Sequence, residues 1–266
     1  MTTRPLRALV TNDDGIDAEG LAILAQAARE AGLEVVIAAP TRESSGTSAG
    51  LTATEDGSGR VTVANRELSG LAGIRTHSIS AHPAFIVLAA IQGAFGPSPD
   101  IVLSGVNNGA NLGRAVLHSG TVGAALTGAL HGARAMAVSL AVGPELDGPR
   151  RWGATRAVLC VMLPLVMGLP AGATLNVNVP DRPVEQLGEL RRVPLARMGT
   201  VQTRIEQLGS AQLRRVRAAL PDDPEPGTDA AILAAGYPTV SELCPVEDAP
   251  HTVLPAVLPR LPAAHG

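Results

Sequence analysis

The sequence of 266 residues contains 21 arginines and no lysine against 24 acidic residues, which gives a net charge of −3. This balance lacks the basic excess of a polyanion-binding surface, and the absence of lysine excludes a P-loop lysine, a Schiff-base lysine and a lysine general base. Hydrophobic residues make up 45% and aromatic residues only 2%, so we expect a globular chain with an aliphatic core.

The first part of the chain alternates strands and helices. A strand is predicted over residues 6–11, a helix over 18–31 with Asp17 as its N-cap, and an apolar strand over 34–39. This strand–helix–strand order with short connections is a βαβ unit, which implies parallel strands. A loop rich in Ser, Thr and Gly follows over residues 41–59.

The middle of the chain continues this alternation. The predicted elements are strands near 61–63 and 74–77, a helix over 82–92, a strand over 101–103, a loop over 104–120, a helix over 122–130, a strand over 135–140, a helix over 151–167 and a strand over 175–179. The order predicts a doubly wound α/β fold, with a mostly parallel sheet and helices on both faces.

The character of the chain changes beyond residue 183. The predicted features are a hairpin or arm over 193–217, a proline-rich linker over 221–226, a short helix over 228–235 and a proline-rich tail after 245 that lies over a surface. We assign residues 1–182 to an α/β core that carries the functional site. We assign residues 183–266 to a C-terminal arm and tail of the same domain, with a role in oligomerisation.

The cysteines and the lengths of the apolar runs indicate in which part of the cell the protein is expected. Cys160 and Cys244 form no Cys-x-x-Cys pair, so a cysteine-based zinc site is not expected. No apolar run reaches membrane-spanning length, and the segment before the first strand lacks the apolar region of a signal peptide. We therefore expect a cytoplasmic protein without a membrane partner.

Two adjacent acids, Asp13 and Asp14, follow the first predicted strand. In open parallel sheets, ligands bind at the carboxyl ends of the strands. Adjacent carboxylates repel each other, and a hard divalent cation with oxygen ligands would relieve that repulsion. The alternative is an ordinary turn, since Asp-Gly is a common turn pair. These two residues alone do not decide between the two interpretations.

Three asparagines, Asn107, Asn108 and Asn111, follow the strand at 101–103. Asparagine carbonyl groups are neutral oxygen ligands that suit Mg²⁺ or Mn²⁺, and the amide N–H groups can hold phosphate oxygens. The alternative is an Asn-Gly turn.

The segment from His118 through Ser119, Gly120 and Thr121 enters a predicted helix. Backbone N–H groups at a helix N-terminus, together with hydroxyl groups, can bind phosphate. The alternative is simple helix capping. His118 could donate a proton to a leaving group or only cap a loop. Ser45, in the polar loop after the second strand, could complete a metal site or belong to a flexible loop.

Motifs of other enzyme classes are absent, including GxGxxG, HExxH and the Walker A sequence. The motifs that are present occur in one order: T-N-D-D-G-I at 11–16, S-G at 45–46, S-G-V-N-N-G-A-N at 104–111, S-G-T-V-G-A-A at 119–125, L-N-V-N-V-P at 175–180 and G-T-D at 227–229. In this order and spacing the chain resembles the SurE family of stationary-phase survival nucleotidases.

The resemblance implies a site and a reaction. One divalent ion per subunit, Mg²⁺ or Mn²⁺, would be held by Asp13, Asp14, Ser45 and Asn107. Phosphate contacts would come from Asn111, Ser119, Gly120 and Thr121. The implied reaction is hydrolysis of nucleoside 5′- and 3′-monophosphates, small molecules rather than nucleic acid polymers. The implied assembly is a homodimer or homotetramer that exchanges C-terminal arms.

The catalytic candidates are Asp13, Asp14, Asn107 and His118. Of these, Asp14 would act as base or orient the attacking water, and His118 would protonate the leaving oxygen. Several positions depart from the family pattern: Ser44, Phe85, Thr127 and Pro238. A catalytically weakened nucleotide-binding protein is therefore an alternative, as is a purely structural oligomer in which these loops are only turns.

Overall fold

A computed structural model describes residues 4–142, 148–197 and 224–247, and the backbone of residues 204–208 and 212–216. The helices are α1 (Glu19–Glu30), α2 (Pro83–Ile91), α3 (Gly120–Leu130), α4 (Trp152–Gly168) and α5 (Asp229–Ala234). The strands are β1 (Arg7–Thr11), β2 (Glu34–Pro40), β3 (Val63–Asn65), β4 (Arg75–Ile79), β5 (Ile101–Asn108), β6 (Arg134–Ala141), β7 (Thr174–Pro180), β8 (Arg191–Arg192), β9 (Arg204–Leu208), β10 (Gln212–Val216) and β11 (Thr239–Leu243). Among the described residues, no helix has both the length and the apolar character needed to cross a membrane.

The main sheet has nine strands in the order β3-β4-β2-β1-β5-β6-β7-β11-β8. The six strands from β4 to β7 run parallel to one another. The edge strand β3 and the inserted strand β11 run antiparallel to β4 and β7. From β1 the chain proceeds first to β2 on one side and later to β5 on the other. The strand order therefore reverses between β1 and β5, where ligands bind in folds of this class.

Two apolar clusters cover the two faces of the sheet. Alternate residues of β1 face opposite sides, so that Ala8 and Val10 belong to one cluster and Leu9 belongs to the other. Helices α1 and α4 cover the first face, and α2 and α3 cover the second. Because these strands are buried on both faces, the sequence shows continuous apolar runs instead of alternating apolar and polar residues. The doubly wound α/β prediction is confirmed.

Two local predictions are wrong. The strand predicted over 101–103 continues to Asn108, because β6 supplies pairing partners across a register shift between Ser104 and Asn107. The expected loop therefore begins only after Asn108, and Gly113–His118 forms a 3₁₀ helix within it. The N-cap of α1 is Ala18 rather than Asp17, whose carboxylate instead pairs with Arg66 at 2.8 Å.

The C-terminal segment returns to the same sheet. Strand β11 lies between β7 and β8, so that Pro238, directly before it, does not prevent pairing. Strands β9 and β10 pair as an antiparallel hairpin, which agrees with the predicted arm. Residues 198–203, 209–211 and 217–223, which belong to this arm and the linker, and the tail from residue 248 lie outside the described residues.

Candidate active site

The acidic segment with Asp13 and Asp14 follows β1, and the amide-rich segment with Asn107 and Asn108 ends β5, so that the two lie side by side. The two strands are parallel neighbours, with Thr11 opposite Ser104. The chain just beyond them is joined by a hydrogen bond in which the backbone N–H of Asn108 donates to Asp14 Oδ2 at 3.0 Å. The segments that carry Asp14 and Asn108 therefore meet at one edge of the sheet.

Asp13 is a buried carboxylate with 4% of its surface exposed. Its Oδ1 accepts a short hydrogen bond from the hydroxyl group of Thr121, at the N-terminus of α3. Burial raises the pKa of Asp13, and the hydrogen bond from Thr121 opposes that shift. An ionised carboxylate at this depth is costly unless a cation lies beside it.

Asn107 offers a second oxygen donor. Its Nδ2 donates to the carbonyl oxygen of Gly109 at 2.7 Å, which fixes the orientation of the amide. Its Oδ1 is buried and has no hydrogen-bond partner. Because a buried carbonyl oxygen normally has a partner, this atom is suited to bind a hard cation.

The loop after β2 closes over Asp13. The backbone N–H of Ser44 donates to the carbonyl oxygen of Asp13 at 2.8 Å. The hydroxyl group of the next residue, Ser45, donates to Glu43 at 2.7 Å. Thr47 adds a buried hydroxyl group without a partner. The sequence did not mark this residue, because it has no distinctive spacing.

The space between α3 and Asp13 excludes a side chain at Gly120. A Cβ atom there would lie 2.8 Å from Asp13 Oδ2 and 3.0 Å from Thr47 Oγ1. A carboxylate oxygen and a hydroxyl oxygen thus face a space that a glycine keeps free. Together with the unpartnered amide oxygen of Asn107, they are the ligand types of a hard divalent cation, so the residues present fit such an ion. In the described ranges, no three His, Cys, Asp or Glu side chains form a metal-binding group.

The N-terminus of α3 faces the same site. Ser119 is its N-cap, and its hydroxyl oxygen accepts from the backbone N–H of Val122 at 3.1 Å. Ser119, Gly120 and Thr121 are all buried, beside the Asp13 carboxylate. The positive end of this helix suits an anion bound next to the cation. His118 ends the 3₁₀ helix directly before Ser119, and its side chain is exposed.

Asn111 belongs to a buried amide network. Its backbone N–H donates to Asn178 Oδ1, and its carbonyl oxygen accepts from the side chains of both Asn176 and Asn178, each at 2.9 Å. Its own Nδ2 donates to Ser139 Oγ at 2.8 Å. Asn111 is thus fixed by β6 and β7, and its predicted phosphate contact stays a prediction. The sequence shows the alternating asparagines of β7, Asn176 and Asn178. It does not show that Asn111 is their hydrogen-bond partner.

Asp229 is a structural support of the site that the sequence left without a role. This buried carboxylate, the N1 residue of α5, accepts from the backbone N–H groups of Gly113, Ala196 and Ala230 at 2.7–2.9 Å. Burial raises the pKa of Asp229, and the three N–H donors oppose the shift. The contact with Gly113 connects α5 to the 3₁₀ helix that ends at His118.

We expect Asp229→Asn to lower the free energy of unfolding by about 2 kcal/mol, because an NH₂ group would replace one acceptor oxygen and leave a buried N–H unsatisfied. Urea unfolding measures the change. The exposed Glu67→Gln serves as the control and should stay within about 0.5 kcal/mol of the wild type. Equal stability of Asp229→Asn and Glu67→Gln would contradict the supporting role.

Two of the departures from the family pattern, Phe85 and Thr127, lie on α2 and α3. Phe85 is half-buried and packs against the apolar cluster under α2 and α3. The hydroxyl group of Thr127 donates to the carbonyl oxygen of Gly123 at 2.7 Å, within α3. Packing and helix hydrogen bonding therefore account for both side chains.

Comparison with known proteins finds relatives of this chain in one family. The family model described as survival protein SurE matches residues 8–204. A protein of Xanthomonas campestris pv. campestris named 5′-nucleotidase SurE is 42% identical over 176 residues, which make up 66% of this chain and 64% of that relative. A protein of Xanthomonas oryzae pv. oryzae with the same name is equally similar. The matched stretch thus spans less than two thirds of the length of these curated relatives.

A solved structure shows the same fold. The crystal structure of SurE protein from Aquifex aeolicus superimposes with a TM-score of 0.67 and covers 90% of this chain and 93% of that chain. At 24% identity, this similarity concerns the fold alone.

Proposed function

This chain belongs to the SurE family, and we propose that it is a divalent-metal-dependent phosphomonoesterase that hydrolyses nucleoside 5′-monophosphates, and 3′-monophosphates as further substrates. The observation that supports the proposal most strongly is the hydrogen bond between Thr121 and the buried Asp13 carboxylate. It keeps a carboxylate suited to a cation directly beside a helix N-terminus suited to an anion. A phosphate ester bound to a metal ion needs both.

The proposed ion is one Mg²⁺ or Mn²⁺ per subunit. Asp13, Asp14, Ser45 and Asn107 would hold it. When bound, it would supply Lewis-acid polarisation of the phosphoryl group and of the attacking water. The chain itself supports this assignment through the buried, unpartnered oxygen of Asn107 and the cost of leaving Asp13 ionised and alone.

The remaining residues bind the phosphoryl group and move protons. The first-turn N–H groups of α3, with Ser119, Gly120 and Thr121, would neutralise charge that grows on the phosphoryl oxygens in the transition state, and Asn111 would assist them. Asp14, fixed by the N–H of Asn108, would orient the attacking water or accept its proton. His118, exposed just before the N-terminus of α3, would protonate the leaving oxygen.

Two further features belong to the proposal. The similar Xanthomonas proteins are named 5′-nucleotidases, which favours a small nucleotide over a nucleic acid polymer. The β9–β10 hairpin would serve exchange between subunits of a homodimer or homotetramer.

Phosphate release from a panel of nucleoside monophosphates tests the function. We expect release with Mn²⁺ or Mg²⁺ and none after treatment with EDTA, because the oxygen donors of the site would hold a hard cation. Adding Mn²⁺ back to the EDTA-treated protein is the control and should restore release. Phosphate release that persists in EDTA would contradict the proposal. So would a folded protein that binds nucleotide but releases no phosphate with any metal.

A further inference from the structure

A cavity of about 290 Å³ lies at one edge of the main sheet, between strands β3 and β4 and helix α2. Its walls are mostly aliphatic, and three rings complete them: His77, Phe85 and Phe95. None of the residues proposed to hold the metal ion or the phosphate group lines this cavity. Because an apolar cavity of about 150 Å³ can hold one benzene ring, this cavity has room for two fused rings.

The protein has few aromatic side chains, and they contribute strongly to this cavity. The chain has two phenylalanines, and both of them line the cavity. The ring of His77 stacks on Phe95, with 5.0 Å between the ring centroids and 24° between the ring planes. Phe85 also packs on the apolar cluster under α2 and α3, and it is one of the positions that depart from the family pattern. Walls made of rings favour a planar aromatic molecule, because contacts between rings stabilise beyond the burial of apolar area.

The ring of His77 has a nitrogen that the fold does not use. Its Nδ1 lies 3.0 Å from Asn65 Oδ1, an atom that can only accept, so the proton of the neutral ring is on Nδ1 and Nε2 is an acceptor. Burial, and to a smaller extent the charge of Arg75, lowers the pKa of His77, which favours this neutral form. Nε2 is buried and has no hydrogen-bond partner among the residues that the structure describes. A ligand with a hydrogen-bond donor would satisfy this atom.

We propose that this cavity binds a small planar aromatic molecule that carries a single N–H or O–H donor. The rings of Phe85 and Phe95 would contact the molecule, and its donor would bond to His77 Nε2. A nucleoside suits the cavity less well, because several of its polar groups would lose water without gaining partners on the aliphatic walls. The proposal therefore concerns a second ligand and does not depend on the proposed function.

The test compares two probes of nearly equal shape: indole, which has one N–H donor, and benzofuran, in which an oxygen atom replaces that group. We expect calorimetry on the intact chain to show that indole binds about tenfold more tightly, because benzofuran leaves Nε2 without a partner. His77→Phe keeps a ring against Phe95 but removes the acceptor, so it should abolish this preference. His131→Ala, at an exposed histidine directly after α3, is the matched control and should leave the preference unchanged.

A second variant reduces the volume of the cavity. Ala89 is a half-buried wall residue on α2, and Ala89→Leu should weaken the binding of both probes about tenfold. Leucine favours a helix, so the fold should be retained, and circular dichroism checks this.

Three results would overturn the proposal. The first is that the wild type binds neither probe or binds both equally, and the second is that indole affinity is unchanged in both variants. The third is that adenosine displaces indole, which would assign the cavity to the nucleotide instead of a second ligand.

Discussion

Asp13→Asn is expected to lower metal-dependent phosphate release at least about a hundredfold, because it removes a carboxylate ligand from the centre of the proposed site. Asparagine has nearly the same size, so packing is preserved. Phosphate release measures the activity, and thermal denaturation with and without Mn²⁺ measures the metal affinity. We expect the stabilisation by Mn²⁺ to disappear together with the activity.

The same variant should be more stable than the wild type when metal is absent. Burial raises the pKa of Asp13, so the folded protein holds this proton more tightly than the unfolded chain does. The stability of the metal-free wild type therefore falls as pH rises from the ordinary aspartate range through the raised pKa. The asparagine side chain of the variant cannot ionise, so its advantage should be largest at neutral pH and vanish in acid.

Asp17→Asn is the matched control. Asp17 lies on the same connection between β1 and α1, but it is exposed and pairs with Arg66 at the surface. We expect its substitution to leave both activity and the response to Mn²⁺ unchanged. An Asp13→Asn enzyme with wild-type activity and an unchanged response to Mn²⁺ would remove the basis of the metal assignment.

Gly20→Ala is expected to lower the free energy of unfolding by about 3 kcal/mol, although alanine normally favours a helix over glycine. A Cβ atom on Gly20 would lie 2.1 Å from the carbonyl oxygen of Val106. Helix α1 would have to move away from β5. Because Val106 directly precedes Asn107, the displacement should also reduce phosphate release.

Gly168→Ala is the matched control, and we do not expect it to destabilise the protein. Gly168 is the last residue of α4, and a Cβ atom there meets nothing within 4 Å. Its substitution should leave stability unchanged or raise it by up to about 1 kcal/mol. Urea unfolding of both variants measures the difference. A Gly20→Ala protein as stable as Gly168→Ala would show that α1 does not approach β5 as closely as described.

Part of this picture could be predicted from local sequence patterns. Apolar runs bounded by Gly, Asn and Pro placed the strands and helices of the parallel sheet to within a few residues in most cases. The motifs around Asp13, Asn107 and Ser119 could be placed at strand ends and at a helix start. These features are local, because the chain's periodicity and its turn residues act over a few positions.

The extent of β5 shows where local patterns fail. The run from Ser104 to Asn108 looks like a turn, since it contains glycine and consecutive asparagines. It is nevertheless a strand, because β6 pairs with it on both sides of a register shift. A neighbouring strand, distant in sequence, outweighs the local preference.

The sequence by itself determined the fold class, the family resemblance and the chemical types of the candidate ligands. Only the tertiary structure decided which of them meet. It placed Thr121 against Asp13, satisfied Asn111 with the asparagines of β7, connected Asp229 to the 3₁₀ helix that ends at His118, and packed Phe85 against an apolar cluster. The reason is physical: these hydrogen bonds join residues that lie between 65 and 116 positions apart in the chain. Only the strand order and the packing of helices on both faces of the sheet bring such residues together.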